Sequence, residues 1–177
     1  GVQTCALPIL LAVVARLRYW VAENPKNARH FLKRCGTALP LAEIRIEKLD
    51  VNTASERLPA LLEPLLAGED AGLVSDAGCP AVADPGAALV REAHRLGIGV
   101  RPLIGPSSIL LALMASGLGG QRFAFHGYLP VDERQLAERL RSLEKSARSQ
   151  SQTQIFIETP YRNDRMLRIL LATLEPR

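Results

Sequence analysis

The sequence predicts an α/β protein with an N-terminal domain built on a parallel sheet and a second, incomplete α/β domain behind it. Three observations lead there. Short apolar stretches alternate with amphipathic helical ones through the first half of the chain, the pattern of βα units. Two of these stretches, Tyr19–Ala22 and Ala71–Val74, are apolar without alternation, as strands buried on both faces are. The chain has 177 residues, 47% hydrophobic and 23% charged, enough apolar surface for a core and too little charge for an extended disordered chain. At about 150 residues per domain this length holds one domain and part of another.

The elements follow in order. Residues 10–18 have helical spacing, and Tyr19–Ala22 reads as a buried strand ended by Glu23-Asn24-Pro25. Asn24 suits an N-cap and Pro25 a first helical position, because the side-chain oxygen takes an orphan amide and proline has no amide to lose; this helix stops at Gly36. Residues 43–47 alternate as a strand. Thr53 and Glu56 have capping-box spacing for a helix carrying Leu58, Leu61, Leu62, Leu65 and Leu66, closed by Gly68. Ala71–Val74 is the next strand, then come a loop over 75–85, a helix over 86–96 and a strand over 99–103.

Residues 104–107 interrupt this grammar, so an N-terminal domain over 10–104 gives way near Gly105 to a partial C-terminal domain over 105–177. It comprises an apolar helix over 108–115, an aromatic strand Phe123–Tyr128, a charged amphipathic helix over 132–147, a polar connector over 148–153, a strand over 154–158 and a helix over 162–174. Two strands and two such helices do not cover a sheet. Residues 1–9 show neither a capped helix nor a clear strand and read as sequence foreign to the rest.

Cys5, Cys35 and Cys79 form no CxxC pair and stand apart from His30, His94 and His126, so neither a zinc site nor a disulfide framework is expected. The apolar run over 5–15 is shorter than the ~20 residues a membrane span needs, contains Pro8, and lacks the preceding positive charges of a secretory core. A soluble cytoplasmic protein is the expectation. The formal charge is +4, with arginine far commoner than lysine, which permits phosphate contacts without demanding them.

Four stretches could hold chemistry. The first, Val74-Ser75-Asp76-Ala77-Gly78-Cys79-Pro80-Ala81-Val82-Ala83-Asp84-Pro85-Gly86, leaves the carboxyl end of a parallel strand, where open α/β sheets bind ligands. Gly78 admits close approach, the prolines stiffen the loop, and free backbone groups can hold a polar molecule. Asp76 also suits a turn and Asp84 a helix cap. The second, Leu103-Ile104-Gly105-Pro106-Ser107-Ser108, leaves a strand and sets two hydroxyls at a helix start, suited to a carboxylate, a ribose or simply a cap. The third runs over 155–162, where Glu158 and Arg162 either face a cleft or pair with each other. The fourth runs over 22–30, with Glu23, Lys26 and Arg29 at a strand end. No GxGxxG or Walker pattern is present, against ordinary dinucleotide or P-loop nucleotide binding.

Taken in this order, the four stretches resemble the tetrapyrrole methylase superfamily of S-adenosylmethionine-dependent methyltransferases. Within it they are most similar to the bacterial branch that methylates a cytidine ribose of small-subunit ribosomal RNA. The resemblance runs from about Leu10 to Arg177 and is sharpest over 74–86 and 105–108. It implies two α/β domains, a homodimer, and S-adenosylmethionine folded in a cleft between the domains, with no metal and no membrane. Gly78, Cys79, Pro80 and Ala83 would present backbone groups to the methionine end of the cofactor, Asp76, Ala77 and Asp84 would also bind the cofactor, and Ser107 and Ser108 would contact it from the second domain's first helix. The family's first strand with its Pro/Gly-rich loop has no counterpart here, nor has the C-terminal part that contacts adenine. Cys79 replaces the branch's usual threonine, and its Glu-Asp-Thr-Arg stretch appears as Glu23-Asn24-Pro25-Lys26.

Methyl transfer from a sulfonium is an in-line displacement that rests on positioning, while a ribose hydroxyl, a weak acid, benefits from a nearby base. Glu23 and Glu158 are the candidates for base or substrate orientation, and Lys26, Arg29 and Arg162 for RNA phosphates. A small-molecule or tetrapyrrole methylase, and a non-catalytic fragment of such an enzyme, are the alternatives.

Overall fold

A four-residue strand with apolar side chains on both faces belongs inside a sheet, and β1 (Tyr19–Ala22) lies at the centre of one with all four residues buried. The computed structural model describes residues 2–103 and 105–176, and the side chains from Pro8 onward. The chain forms two compact units, Gly1–Ser107 and Ser108–Arg177.

In the first unit β1 is flanked by β2 (Arg45–Lys48) and β3 (Ala71–Val74), all parallel, in the order β2-β1-β3 with Tyr19 opposite both Arg45 and Ala71. Alternation along β1 distributes its side chains between two cores. Tyr19 and Val21 pack with Leu58, Leu61 and Leu62 of α3 (Leu58–Leu66) and Leu89 and Ala93 of α4 (Gly86–Arg95). Trp20 packs with Val14 of α1 (Val2–Arg16), Leu32 of α2 (Pro25–Cys35), Leu17 and Ile44. Helices thus cover both faces, as a parallel sheet requires. Gly72 of β3 lies directly under the Trp20 ring, where a Cβ would collide with it.

The start of α2 is as the sequence predicts. Asn24 Oδ1 accepts the amides of Lys26 at 3.0 Å and Asn27 at 3.4 Å, Pro25 stands first, and Gly36 ends the helix at φ +78°. Elsewhere the boundaries differ. Helix α1 starts at Val2 and ends at Arg16, so the expectation of no helix over residues 1–9 is corrected from Val2 onward; Gly1 lies outside the described residues. Strand β2 begins at Arg45, after a 3₁₀ turn Leu41–Glu43.

Thr53 forms no capping box. Its hydroxyl donates to Asp50 Oδ1 at 3.0 Å and accepts the Asp50 amide at 2.9 Å, closing a turn before α3, which starts without a side-chain cap. The same turn pulls the Asp50 carboxyl down to about 2, chiefly through its hydrogen bond with Lys48. Residues 99–103, expected as a strand, make no ladder. Val100 and Leu103 stay exposed, so little apolar burial offsets the cost of ordering the segment.

The second unit comprises α5 (Ser108–Ser116), β4 (Phe123–Tyr128), α6 (Glu133–Gln150), β5 (Thr153–Ile157) and α7 (Asn163–Thr173). Strands β4 and β5 are parallel, with a bulge between Phe125 and Tyr128 where Gly127 takes φ +65°. Leu136, Leu140 and Leu143 of α6 form one buried stripe and pack with Leu129 and with Met166 of α7. Asp132 caps α6 by accepting the Gln135 amide at 3.0 Å. Helix α6 extends to Gln150, consuming half of the expected connector, and α7 starts at Asn163 after a 3₁₀ turn Pro160–Arg162. Helix α5, wholly apolar between its two end serines, buries no residue, and the described sheet of this unit has two strands.

Candidate functional site

The parallel strands β1 and β3 end side by side, Ala22 opposite Val74, so the segments that follow them start together at the carboxyl edge of the sheet. There the Asp76 amide donates to Glu23 Oε2 at 3.3 Å, and Asn27 Nδ2 donates to Asp76 Oδ2 at 2.8 Å. Glu23, Asn27 and Asp76 therefore form one cluster. Asn27 carries no local signal in the sequence, where it is one polar residue of a helix start.

Beyond Asp76 the loop is held in an uncommon shape. Gly78 has φ +74°, and two alanines also lie in the left-handed region, Ala81 at +67° and Ala83 at +54°. An L residue there costs about 1–2 kcal/mol, so the surroundings must impose it. Asp84 does so. Its Oδ1 accepts the Ala81 amide at 3.0 Å and the Gly86 amide at 2.7 Å, pinning the loop to the first turn of α4. The Val82 amide donates to the Cys79 carbonyl at 3.1 Å, Ser75 Oγ to the Ala77 carbonyl at 3.3 Å, and the Cys79 thiol lies 3.8 Å from the Pro106 carbonyl. Asp84 thus clamps the loop against the first turn of α4, whose N-cap, Pro85, has no side-chain bond of its own.

This shape leaves the amides of Ala77, Gly78, Cys79 and Ala83 without a hydrogen-bond partner among the described residues, and the space beside Gly78 is open. Free amides next to the carboxylates of Glu23 and Asp76 suit a small zwitterion, whose carboxylate takes the former and whose ammonium takes the latter. The methionine end of S-adenosylmethionine is of that chemistry, and the residues fit it. Pro80 is exposed on the same loop.

The other candidates lie as follows. Ser107 ends the first unit half-buried, and Ser108 opens α5 exposed. Ile104 of the 103–108 stretch lies outside the described residues. Lys26 and Arg29 are exposed on α2. Glu158 and Arg162 belong to the second unit. The Glu158 side chain is 11% exposed; its Oε1 accepts the Thr159 amide at 2.7 Å and hydroxyl at 3.2 Å and lies 3.8 Å from Arg162 Nη1. Both border a shallow recess with Pro130, Val131, Arg165 and Met166. Arg165 is fixed there, donating to the Val131 carbonyl at 2.8 Å and to Glu133 at 3.2 Å. Among the described residues no group of acidic, His and Cys side chains has the geometry of a metal site, and no helix is long and apolar enough to cross a membrane.

No family model matches the chain. Curated relatives do. The ribosomal RNA small subunit methyltransferase I of Xylella fastidiosa is 39% identical over 141 residues, covering 80% of this chain and 48% of that protein. The protein of the same name from Escherichia coli O157:H7 is 36% identical over 164 residues, 93% of this chain and 54% of that one. That of Mesorhizobium japonicum is 45% identical over 111 residues, 63% and 36% respectively. The chain spans about half the length of the curated relatives it matches. Among solved structures, the crystal structure of the methyltransferase CobJ matches with a TM-score of 0.55 and 24% identity, over 98% of this chain and 69% of that one, which shows a shared fold.

Proposed function

The chain belongs to the ribosomal RNA small subunit methyltransferase I family and has the tetrapyrrole methylase fold, and on that premise we propose that it methylates a ribose 2′-hydroxyl of small-subunit ribosomal RNA. The observation that supports this most is the clamped loop over 75–85, with its unpaired amides and two left-handed alanines beside Glu23. S-adenosylmethionine supplies an activated methyl group on a sulfonium sulfur. Gly78, Cys79, Pro80 and Ala83, with Ala77 and the carboxylate of Asp76, hold its methionine end; Asp84 holds the loop; Ser107 and Ser108 add hydroxyl contacts.

The reaction needs a held donor and an acceptor oxygen relieved of its proton. Glu23 is the better placed of the two acids for that proton, since one of its oxygens already faces the loop amide of Asp76. Glu158 is committed to Thr159 and Arg162, which makes it the residue that orients Arg162 toward an RNA phosphate. Lys26 and Arg29, exposed on α2, contact neighbouring phosphates. The protein acts in the cytoplasm, where ribosomal RNA is assembled, as a homodimer.

Calorimetric titration of S-adenosylhomocysteine tests the cofactor part of this reading. Saturable binding, weakened tenfold or more by Ser107→Ala/Ser108→Ala, is expected. Transfer of a labelled methyl group to small-subunit RNA tests the rest, with Glu23→Gln lowering turnover by about 10²-fold or more, the range of general acid–base contributions. Binding without transfer to RNA, but with transfer to a small molecule, would replace the RNA reading. A folded chain that binds no S-adenosylhomocysteine would leave a non-catalytic module.

A further inference from the structure

Helix α6 has two faces of opposite chemistry. Leu136, Leu140 and Leu143 form its buried stripe, and by the helical repeat Arg134, Arg141, Lys145 and Arg148 fall on the opposite side, all four exposed. The helix carries five cations and three acids, and each acid is already engaged. Glu133 pairs with Arg165, Glu138 with Arg134, and Glu144 with Arg148, which also reaches Glu175. The fifth cation, Arg139, lies 3.2 Å from His126 Nδ1. Arg141 and Lys145 are left with no acidic partner among the described residues, one turn apart, on a shallow groove shared with Ser149 and with the Glu144–Arg148 pair.

We infer that this outward stripe of α6 is a phosphate-backbone docking surface for RNA, separate from the residues assigned to the cofactor loop; the inference rests on the reading that RNA is the substrate. Three features select RNA backbone over an acidic protein or an anionic metabolite. From Arg141 to Lys145 the helix rises about 6 Å, the axial reach of about two phosphates on one strand. The stripe carries no aromatic or aliphatic side chain between its cations, so it offers neither base stacking nor the apolar anchor of a protein interface. The surplus charge comes from one arginine and one lysine on an open surface, suited to a repeating line of charge rather than to enclosing a single anion.

Such contacts position RNA without reading its sequence, so their signature is salt dependence. The test compares the full chain with Arg141→Glu/Lys145→Glu, using a fluorescein-labelled fragment of small-subunit ribosomal RNA over a salt series. The double variant should bind at least tenfold more weakly at low salt. Neutralising both sites with Arg141→Gln/Lys145→Gln should reduce the slope of log affinity against log salt by about 1.4, at ~0.7 per phosphate contact. Arg141→Lys/Lys145→Arg should restore both. S-adenosylhomocysteine titration and thermal unfolding, run on the same samples, should not change, because neither residue belongs to the buried stripe of α6 or to the loop over 75–85. Unaltered affinity and slope in the charge-changed variants, with cofactor binding intact, would overturn the docking surface while leaving the methyltransferase reading in place. Equal weakening toward RNA and polyglutamate would overturn its assignment to nucleic acid. Loss of cofactor binding in the unmodified chain is the separate result that removes the reading beneath it.

Discussion

Asp84 and Ala83 are neighbours with opposite effects on the same loop. The Asp84 carboxylate accepts two amides, and those of Ala81 and Gly86 have no other partner among the described residues. Hydrogen bonds to a charged acceptor contribute about 1.5–3 kcal/mol, and stranding their donors adds to the loss. Asp84→Ala should therefore destabilise the chain by about 2–3 kcal/mol and weaken S-adenosylhomocysteine binding by releasing the loop. Ala83 holds φ +54°, where glycine carries no steric penalty. Relief of about 1–2 kcal/mol against an entropic cost of about 0.5–1 makes Ala83→Gly neutral to about 1 kcal/mol stabilising. The urea midpoint should fall for Asp84→Ala and hold or rise slightly for Ala83→Gly. A clear fall for both would rule out the left-handed loop.

Strand β1 and helix α3 are joined by one polar contact inside an apolar core, the Tyr19 hydroxyl donating to the Leu61 carbonyl at 2.9 Å. Burial pushes the Tyr19 phenol up to about 12; the Glu47 carboxylate adds to this, while Arg45, whose guanidinium lies 4.2 Å from the ring centre, opposes it. A phenol raised from 10 to about 12 in the folded state stabilises the fold fully below pH 10 and loses that contribution as pH rises toward 12. The chain should lose stability across that window, and Tyr19→Phe should flatten the dependence while costing about 1 kcal/mol at neutral pH. Urea midpoints between pH 8 and about 12 measure both. The order and type of most elements were legible in the sequence because periodicity and caps act locally, as Asn24, Pro25 and Gly36 show for α2. What depends on distant partners was not. Thr53 and Glu56 had the spacing of a capping box, yet Asp50 took the threonine hydroxyl. Residues 99–103 had strand composition but no ladder partner. In the candidate site the loop over 75–85 announced itself through glycine, proline and aspartate, whereas the bond from Asn27 to Asp76 joins residues far apart in sequence and had no local signal.

The chain as a whole departs most from an ordinary α/β protein in what it leaves uncovered. It spans about half of its curated relatives and builds one three-stranded and one two-stranded sheet among the described residues. Helix α5 is largely open, with Leu111 52% and Met114 73% exposed and Leu110 and Leu118 also exposed. Contiguous apolar surface of this kind favours association and dye binding, unlike scattered single residues. Since neither side chain is buried, replacing both removes little native packing. Leu111→Gln/Met114→Gln should hold the unfolding free energy, from urea titration, within about 0.5 kcal/mol of the unmodified chain, the usual range for surface changes. The same variant should bind less of a hydrophobic dye such as anilinonaphthalene sulfonate and scatter less light at high protein concentration. An unfolding free energy lowered by about 2 kcal/mol or more would mean instead that α5 is packed away in solution, since only the loss of buried apolar contacts costs that much at two aliphatic positions.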